Sequence, residues 1–468
     1  MTHEKAVFEP SHYEPGTNGV LSKFEPGTQT LPVGYQVTPA FKPLPVEIVF
    51  ERDVAVTLRD GVTIYADVFR PVGTEKVPVL VAWSPYGKAQ STTPGVMGIF
   101  AVVGLPNSTV SGMNKFEGPD PAYWCAQGYA VCNPDPRGVA ESEGDSLMFG
   151  RHEAEDCYDL IEWLAVQEWS SGKVAMTGTS YLTVAQWFTA AERPPHLAAI
   201  NPWEGFSDIY RDLVMRGGIP DTGFGGRLQL LSYAGKNQRE AILAEVEQNP
   251  LINDLWEDKT PRFEEITIPA YVVASFSNTL HVMGTFRGWR RIGSEQKWLR
   301  VHNSQEWPDY YQEEHVEEQR QFFDHFLKGV DNDWGQTPRV RYSLLDLEGG
   351  DRIDIPATDF PPSDVVNTKY YLDGRTRTLS PAEPAVELPV AYDPAANPSL
   401  VSFTVRFTEQ TELVGYPKAH LWVEAKDADD MELFVLVQKL DKQGSHLQQF
   451  TALNHSAMLL DLTERGST

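Results

Sequence analysis

Apolar and polar residues alternate along the segment that starts at Phe50, through Val54, Val56 and Leu58. The alternation runs from 50 to 58, is interrupted by Asp60-Gly61, and resumes from 62 to 68. Alternation with a period of two is typical of a strand with one buried face, and Asp-Gly between two such runs is a turn signal. The segment is therefore predicted to form a β-hairpin.

Continuous apolar runs follow at 77–83, 128–133 and 173–177, each short enough for a strand that is buried on both faces. Between the last two runs, residues 152–167 carry apolar side chains at helical spacing. These are Ala154, Cys157, Leu160, Ile161 and Leu164. Strand, helix and strand in this order predict a parallel sheet, which further runs at 271–274 and 298–301 would extend.

Two segments interrupt this pattern. Residues 204–262 have a helical pattern, especially 238–247, and are predicted to form a cap over the carboxyl ends of the strands. Residues 1–45 carry Pro, Gly, Ser and Thr without periodicity and are predicted to form an irregular arm. The α/β core then comprises 46–203 and 263–339.

Short β-type segments with turn signals replace the strand-helix alternation from residue 340 onwards. They lie at 340–345, 369–372, 401–407, 420–424 and 433–440. Residues 340–468 are therefore predicted to be a second, all-β domain of jelly-roll type. Because these segments supply about half the strands of a jelly roll, we expect the domain to be incomplete in this chain.

The composition limits the functions that these elements can serve. The chain of 468 residues has 39 basic and 65 acidic residues, which gives a formal net charge of −26. This charge disfavours nucleic acid and anionic membranes as partners and favours a neutral or cationic substrate. No apolar run approaches the roughly 20 residues of a membrane span, and the start of the chain lacks the apolar core of a signal peptide, so we expect a cytoplasmic protein. A homo-oligomer is left open.

The three cysteines, Cys125, Cys132 and Cys157, show no C-x-x-C spacing and leave one unpaired in any disulfide scheme. They are predicted to be small buried apolar residues rather than disulfide partners or zinc ligands. The chain contains no Gly-rich phosphate loop and no His-Glu-x-x-His motif. We therefore expect neither a cofactor nor a metal.

The run from Val174 to Tyr181 carries the chemistry. It is predicted to be a strand that enters a tight turn at Gly178-Thr179-Ser180, and 182–191 is predicted to be the helix that follows. This is the context of a nucleophile elbow, in which the turn presents the serine hydroxyl above the sheet. Gly178 would avoid a collision with the helix, and the backbone N–H of Tyr181 would face an oxyanion formed at Ser180.

Several further motifs accompany the elbow in a fixed order. They are Arg59-Asp60-Gly61-Val62, Ser84-Pro85-Tyr86-Gly87-Lys88, Asp135-Pro136-Arg137-Gly138 and the run from Gln167 to Val174. Together they resemble the X-Pro dipeptidyl-peptidase family, particularly its cocaine-esterase-like branch of acyl hydrolases. The resemblance covers about 46–440 and implies an α/β-hydrolase core with a helical cap and a C-terminal jelly roll. It also implies that the hydroxyl of Tyr86 contributes to an oxyanion hole.

The chain departs from this family at both partners of the serine. Where the resembling proteins have the triad aspartate, this sequence has Asn278, and where they have the histidine it has Glu306. Asparagine carries no charge to support an imidazolium. One hypothesis exchanges the two roles between loops, with His281 as base and Glu306 as its carboxylate. A second uses His302 as base with Glu306 or Asp309, and a third has no working triad.

Aromatic residues are frequent around the predicted pocket and are candidates for an apolar acyl site, together with Asn278. They are Trp83, Trp187, Trp203, Phe206 and Trp307. His315 and His325 lie in an acid-rich amphipathic segment at 313–327 and are predicted to be solvated.

The preferred interpretation is a serine hydrolase that cleaves a small ester or amide through an acyl-enzyme on Ser180. The alternatives are an acyltransferase that uses the same intermediate, and a non-catalytic binding protein with a degenerate triad.

Overall fold

The computed structural model describes residues 6–11, 23–88, 94–224, 233–346, 350–396, 399–447, 450–451 and 460–461. The strands in these residues are β1 Phe8–Pro10, β2 Gly27–Leu31, β3 Ile48–Thr57, β4 Thr63–Pro71, β5 Val77–Val81, β6 Ala130–Asp135, β7 Ser170–Thr179, β8 Leu197–Trp203, β9 Met215–Arg216, β10 Ile219–Pro220, β11 Gln238–Glu240, β12 Ala270–Ser275, β13 Lys297–His302, β14 Val340–Leu344, β15 Arg352–Ala357, β16 Tyr371–Asp373, β17 Thr378–Ser380, β18 Phe450–Thr451 and β19 Leu460–Asp461.

The α-helices in the same residues are α1 Pro94–Val102, α2 Pro121–Ala126, α3 Arg151–Ala165, α4 Tyr181–Ala191, α5 Ile242–Gln248, α6 Asp254–Asp258, α7 Val282–Arg291, α8 Glu306–Tyr311 and α9 Glu313–Phe323. Short 3₁₀ or π turns lie at Asn107–Thr109, Tyr210–Val214, Phe263–Glu265, Asp324–Lys328 and Asp333–Gln336.

One large mixed sheet organises the core. Its order among the described strands is β15-β14-β13-β12-β8-β7-β5-β6-β4-β3-β2. The strands from β14 to β6 pair in parallel, whereas β6 with β4, β4 with β3 and β3 with β2 pair antiparallel. The parallel strands are buried on both faces, as the continuous apolar runs predicted.

The predicted hairpin and the first strand-helix-strand unit are confirmed. β3 and β4 pair across the Asp60-Gly61 turn, and α3 buries the five predicted apolar positions against the sheet. β8 was not predicted, although it lies at the centre of the sheet between β7 and β12. Asn201 and Pro202 interrupt the apolar run of β8. Asn201 is nevertheless buried, because it forms hydrogen bonds with Thr177 and Tyr271, and a local pattern does not show these distant partners.

The described part of the N-terminal arm is less irregular than predicted. β2 forms the edge of the main sheet beside β3, and β1 pairs with β11. These strands are short and mostly exposed, so they leave no apolar signature in the sequence. Residues 1–5 and 12–22 of the predicted arm lie outside the described residues.

The predicted helix at 238–247 is also corrected at its start. Gln238–Glu240 is the strand β11, and the helix α5 begins at Ile242. Pairing with β1, more than 200 residues away in the chain, decides the conformation of these three residues. The described residues of the segment 204–262 thus combine short helices with short strands, and 225–232 lie outside the described residues.

The strand at Val340–Leu344 was assigned by its pattern to the C-terminal region, but it pairs in parallel with β13 and belongs to the hydrolase sheet. The chain divides into one unit of 1–356 with 430–468 and a second unit of 357–429. In the described residues of the second unit, β16 and β17 form an antiparallel pair. The predicted strands at 401–407, 420–424 and 433–440 have no extended pairing in the described residues, so the jelly roll stays a prediction.

The three cysteines are buried and unpaired, as predicted. A membrane-spanning helix would need a long apolar stretch, and none of the helices in the described ranges has one.

Candidate active site

Ser180 occupies a strained turn between β7 and α4. Its backbone lies at φ 57° and ψ −116°, in a region that non-glycine residues rarely adopt. Gly178, at φ +137°, makes the turn feasible, because a Cβ there would lie 2.3 Å from Leu182 Cδ2 on α4. The Ser180 side chain is only partly buried, so its hydroxyl is reachable from outside the sheet. This is the geometry of a nucleophile elbow.

His281 lies next to the serine. It is the N-cap residue of α7, which follows β12, and its Nε2 lies 3.3 Å from Ser180 Oγ. The imidazole is buried, with 1% of the residue exposed, and its ring packs edge-on against Phe206 at 5.0 Å between centroids. A base held within hydrogen-bond reach of the nucleophile can accept the hydroxyl proton.

Glu306 faces the other ring nitrogen. Its Oε2 lies 3.2 Å from His281 Nδ1, and the residue is buried at the start of α8, the helix that follows β13. Asn278 Nδ2 donates a hydrogen bond of 2.6 Å to the same oxygen. The Asn278 Oδ1 atom accepts from the backbone N–H groups of Leu280 and His281, which fixes the direction of the amide. Asn278 therefore aligns the histidine loop and the glutamate without carrying charge.

His302 does not contact the serine. Its Nε2 lies 2.7 Å from Glu204 Oε1, and its Nδ1 lies 3.1 Å from Ser304 Oγ and 3.5 Å from Asp309. Both nitrogens thus lie close to groups other than the serine, and Arg300 pairs with Asp309 in the same cluster. The structure brings His281 to Ser180 and leaves His302 in the network behind the site.

Tyr86 lies on the opposite side of the nucleophile from His281 along the sheet, in the loop after β5. Its buried phenol interacts by hydrogen bonding with Ser180 and with the backbone of Tyr181, and its ring packs against the Tyr181 ring at 5.9 Å. Burial is the main reason why the pKa of Tyr86 is raised well above its usual value. The hydroxyl therefore stays a proton donor at neutral pH.

The Tyr181 side chain connects the elbow to a buried hydrogen-bond network. Its hydroxyl donates to Glu153 at 2.7 and 2.8 Å, and Trp83 Nε1 donates to the same carboxyl at 2.9 Å. Desolvation by burial raises the pKa of Glu153 to about 7. This network holds the start of α4, where the Tyr181 N–H is presented.

The buried carboxyl groups of Glu117, Glu204 and Glu306 are close enough to interact electrostatically. Desolvation is the largest cause that raises the pKa values of Glu117 and Glu306, and repulsion from neighbouring carboxylates adds to it. Ligand atoms of Glu204, His281 and Glu306 all lie within 4.8 Å of one another, so these are the described residues that could hold a cation. Glu117 accepts a hydrogen bond from Trp307 Nε1 at 2.8 Å.

Among the predicted pocket residues, Phe206 and Asn278 contact the histidine and Trp307 contacts Glu117. The other three are fully buried in the core: Trp83 bonds Glu153, Trp187 packs on Phe263, and Trp203 packs on Tyr310. Their described contacts therefore do not support a role as pocket walls.

His315 was predicted to be solvated, but it is mostly buried. Its Nδ1 lies 2.7 Å from the Asp309 carbonyl oxygen. The start of α9 folds back onto α8, which the acid-rich pattern of this segment did not show.

Sequence reasoning missed Glu204 and Glu117. Glu204 immediately follows β8 and has φ 54°, and its backbone carbonyl accepts a 2.7 Å hydrogen bond from the Ser180 N–H. Recognition of β8 would have placed Glu204 at the carboxyl edge of the sheet, beside the elbow. No local signal marks Glu117.

A strained serine between a parallel strand and a helix, with a histidine after a later strand, defines the α/β-hydrolase class of serine hydrolases. Comparison with known proteins agrees with this class. Residues 60–242 match the family model of X-Pro dipeptidyl-peptidase (S15 family), and 332–465 match that of the X-Pro dipeptidyl-peptidase C-terminal non-catalytic domain.

The crystal structure of a CocE/NonD family hydrolase from Staphylococcus aureus is similar at a TM-score of 0.82 and 34% identity, over 91% of this chain and 76% of that one. Cocaine esterase of Rhodococcus sp. is 35% identical over 183 residues, which are 39% of this chain and 27% of the esterase. A protein named putative serine esterase in Mycobacterium bovis is 27% identical over 169 residues, 35% of this chain and 26% of that protein. The matched segments thus span about a quarter of these curated relatives.

The chain belongs to the CocE/NonD family of hydrolases. It has an α/β-hydrolase core and a C-terminal domain, as the sequence motifs indicated.

Proposed function

We propose that this chain hydrolyses a small ester or amide through an acyl-enzyme on Ser180, with His281 as base and Glu306 as its charged partner. The observation that carries the proposal is the continuous series of contacts from Ser180 Oγ to His281 Nε2 and from His281 Nδ1 to Glu306. It has the order and spacing of a nucleophile, a base and an orienting acid.

In the acylation step, His281 Nε2 accepts the Ser180 proton as Oγ attacks the carbonyl carbon. The imidazolium that forms donates its Nδ1–H to Glu306, whose negative charge stabilises it. When the tetrahedral intermediate collapses, His281 Nε2–H gives its proton to the departing alcohol or amine. Water then repeats the sequence on the acyl-enzyme, and the acid is released.

The oxyanion of each tetrahedral intermediate would accept hydrogen bonds from the Tyr86 hydroxyl and the Tyr181 N–H. The support is the hydrogen-bonding position of Tyr86 between Ser180 and the Tyr181 backbone. Both donors are held before the reaction begins, Tyr86 by burial and Tyr181 by its place at the start of α4. Donors that need no reorganisation give the largest electrostatic contribution.

The acyltransferase and binding-protein alternatives are not favoured, because the relatives that match the hydrolase core, cocaine esterase and the CocE/NonD family hydrolase, are named as an esterase and a hydrolase. A cytoplasmic location and a jelly-roll C-terminal domain stay predictions.

The proposal is tested with a fluorophosphonate probe, which labels an activated serine. We expect labelling of the wild-type protein at Ser180, mapped by mass spectrometry, and none in Ser180→Ala. His281→Gln should also lose most of the labelling rate, whereas the matched control His302→Gln should keep most of it, because His302 does not contact the serine. Absence of labelling in folded wild-type protein would refute the proposal.

A further inference from the structure

A cavity of about 500 Å³ is lined in part by Thr279 and Leu280, the two residues before the proposed base. One wall comes from the segment around β9 and the other from the loop before α7 and the first turns of that helix. The lining residues are Tyr210, Arg211, Asp212, Met215, Arg216, Gly217, Gly218, Thr279, Leu280, Met283 and Arg287. The volume lies within the range of sites for small molecules.

The cavity is close to the proposed reaction centre through its chain neighbours. Thr279 and Leu280 immediately precede His281, whose Nε2 lies 3.3 Å from Ser180 Oγ. Consecutive Cα atoms are about 3.8 Å apart, so a group bound against these residues lies close to the proposed base. A substrate with its carbonyl at Ser180 could therefore extend into this cavity.

The charge of the lining is opposite to that of the chain. Three arginines and a single aspartate line the cavity in a protein whose net charge is −26. Two of the arginines are neutralised by neighbours: Arg287 binds both oxygens of Asp212 at 2.7 and 2.8 Å, and Arg211 binds Asp208 at 2.6 Å.

Arg216 differs from the other two. Its described contact is a hydrogen bond of 3.3 Å to the Thr279 carbonyl oxygen, and no carboxylate of the described ranges lies within 4.0 Å of its guanidinium. A guanidinium has five N–H donors in a planar fork that matches a carboxylate or a phosphate. Most of the donors of Arg216 are therefore available to a ligand in the cavity.

We propose that Arg216 binds an anionic group of the substrate, a carboxylate or phosphate remote from the scissile bond. This inference names the substrate class and rests on the proposed hydrolase function. An anionic substrate differs from the neutral or cationic one that the net charge of the chain suggested. The reason is that the nearby arginine acts on a group in the cavity, whereas the field of more distant acidic residues is screened within about 10 Å.

The test compares kcat/KM for three p-nitrophenyl esters of similar length. The substrates are mono-p-nitrophenyl glutarate with a free carboxylate, its neutral methyl ester, and p-nitrophenyl 4-phosphonobutyrate. We expect wild-type enzyme to prefer at least one anionic ester over the neutral one, mainly through a lower KM, and to lose this preference as salt is raised.

Arg216→Gln should reduce the anionic-to-neutral ratio of kcat/KM about 10-fold or more, as loss of a charge-assisted hydrogen bond requires. Arg216→Lys should retain part of the preference. The control Arg375→Gln removes an exposed arginine from the unit 357–429 and should leave the ratio unchanged. A wild-type enzyme without preference, or a ratio unaffected by Arg216→Gln, would overturn the inference.

Binding of glutarate to Ser180→Ala, measured by calorimetry, separates this inference from the proposed function. Arg216-dependent binding without hydrolysis of any ester would support the anion site and refute the hydrolase. Hydrolysis of the neutral ester without Arg216-dependent binding would support the hydrolase and refute the anion site.

Discussion

Replacement of Glu306 by glutamine tests the proposed triad at its least usual member. Glu306→Gln keeps the size and shape of the side chain and removes its charge. If the amide oxygen takes the position of Oε2, it still accepts the 2.6 Å hydrogen bond from Asn278 and faces His281 Nδ1 at 3.2 Å. Orientation of the imidazole is then preserved, and the variant isolates the effect of charge on the imidazolium.

The size of the effect follows from the separation of the charges. The charge of an imidazolium is shared by the ring, so an effective distance of about 4 Å is appropriate, and at an effective dielectric constant of about 20 the attraction is about 4 kcal/mol. Because this attraction exists only when His281 is protonated in the transition state, kcat should fall by about 10³-fold.

The pH profile should change together with the rate. Burial raises the pKa of Glu306 above that of an ordinary carboxyl. The active form is the carboxylate, so wild-type activity is present above this pKa and is lost as the pH falls through it. The loss of activity at low pH that comes from protonation of Glu306 should therefore be absent in Glu306→Gln, because glutamine does not titrate.

The assay is kcat and kcat/KM for p-nitrophenyl acetate between pH 4 and 9, with folding checked by circular dichroism. Glu245→Gln is the matched control, since Glu245 is a buried acid on α5 that contacts the Val7 N–H. If Glu306→Gln keeps wild-type kcat while His281→Gln is inactive, Glu306 is not the partner. Glu204, which lies within 4.8 Å of the same pair, would then replace it.

Two further changes test the oxyanion hole and its support. Tyr86→Phe removes the hydroxyl that interacts with Ser180, so steady-state kinetics should show kcat lowered about 10²-fold at nearly constant KM, and an unchanged kcat would assign Tyr86 to packing. Glu153→Gln removes a buried acid whose pKa is raised to about 7. Because folded wild-type protein then binds more protons than unfolded protein between about pH 4.5 and 7, its stability falls as the pH rises through this window. Urea unfolding should show that wild type loses roughly 3 kcal/mol more than the variant across this window, and parallel pH profiles would contradict it.

Local sequence patterns determined the features whose causes are local. The alternation around Asp60-Gly61 is enough to specify a hairpin, and apolar residues at helical spacing specify α3. The elbow is equally local, because Gly178, Ser180 and the helix that Gly178 must avoid lie within a few residues of one another. His281 and Glu306, the proposed partners of Ser180, were among the candidates because they lie in the loops after two recognisable strands.

Only the tertiary structure distinguishes those candidates by their distance from the serine. His281 and His302 both follow parallel strands, and only the three-dimensional arrangement puts His281 beside Ser180, 101 residues away, while Glu204 engages His302. The strands β1, β2 and β8 likewise depend on distant pairing partners rather than on apolar runs. The available guanidinium of Arg216 is also a tertiary fact, because whether an arginine is neutralised depends on which acids the fold places near it. Interactions between residues far apart in the chain leave no periodic signal in either segment, and for that reason the sequence does not reveal them.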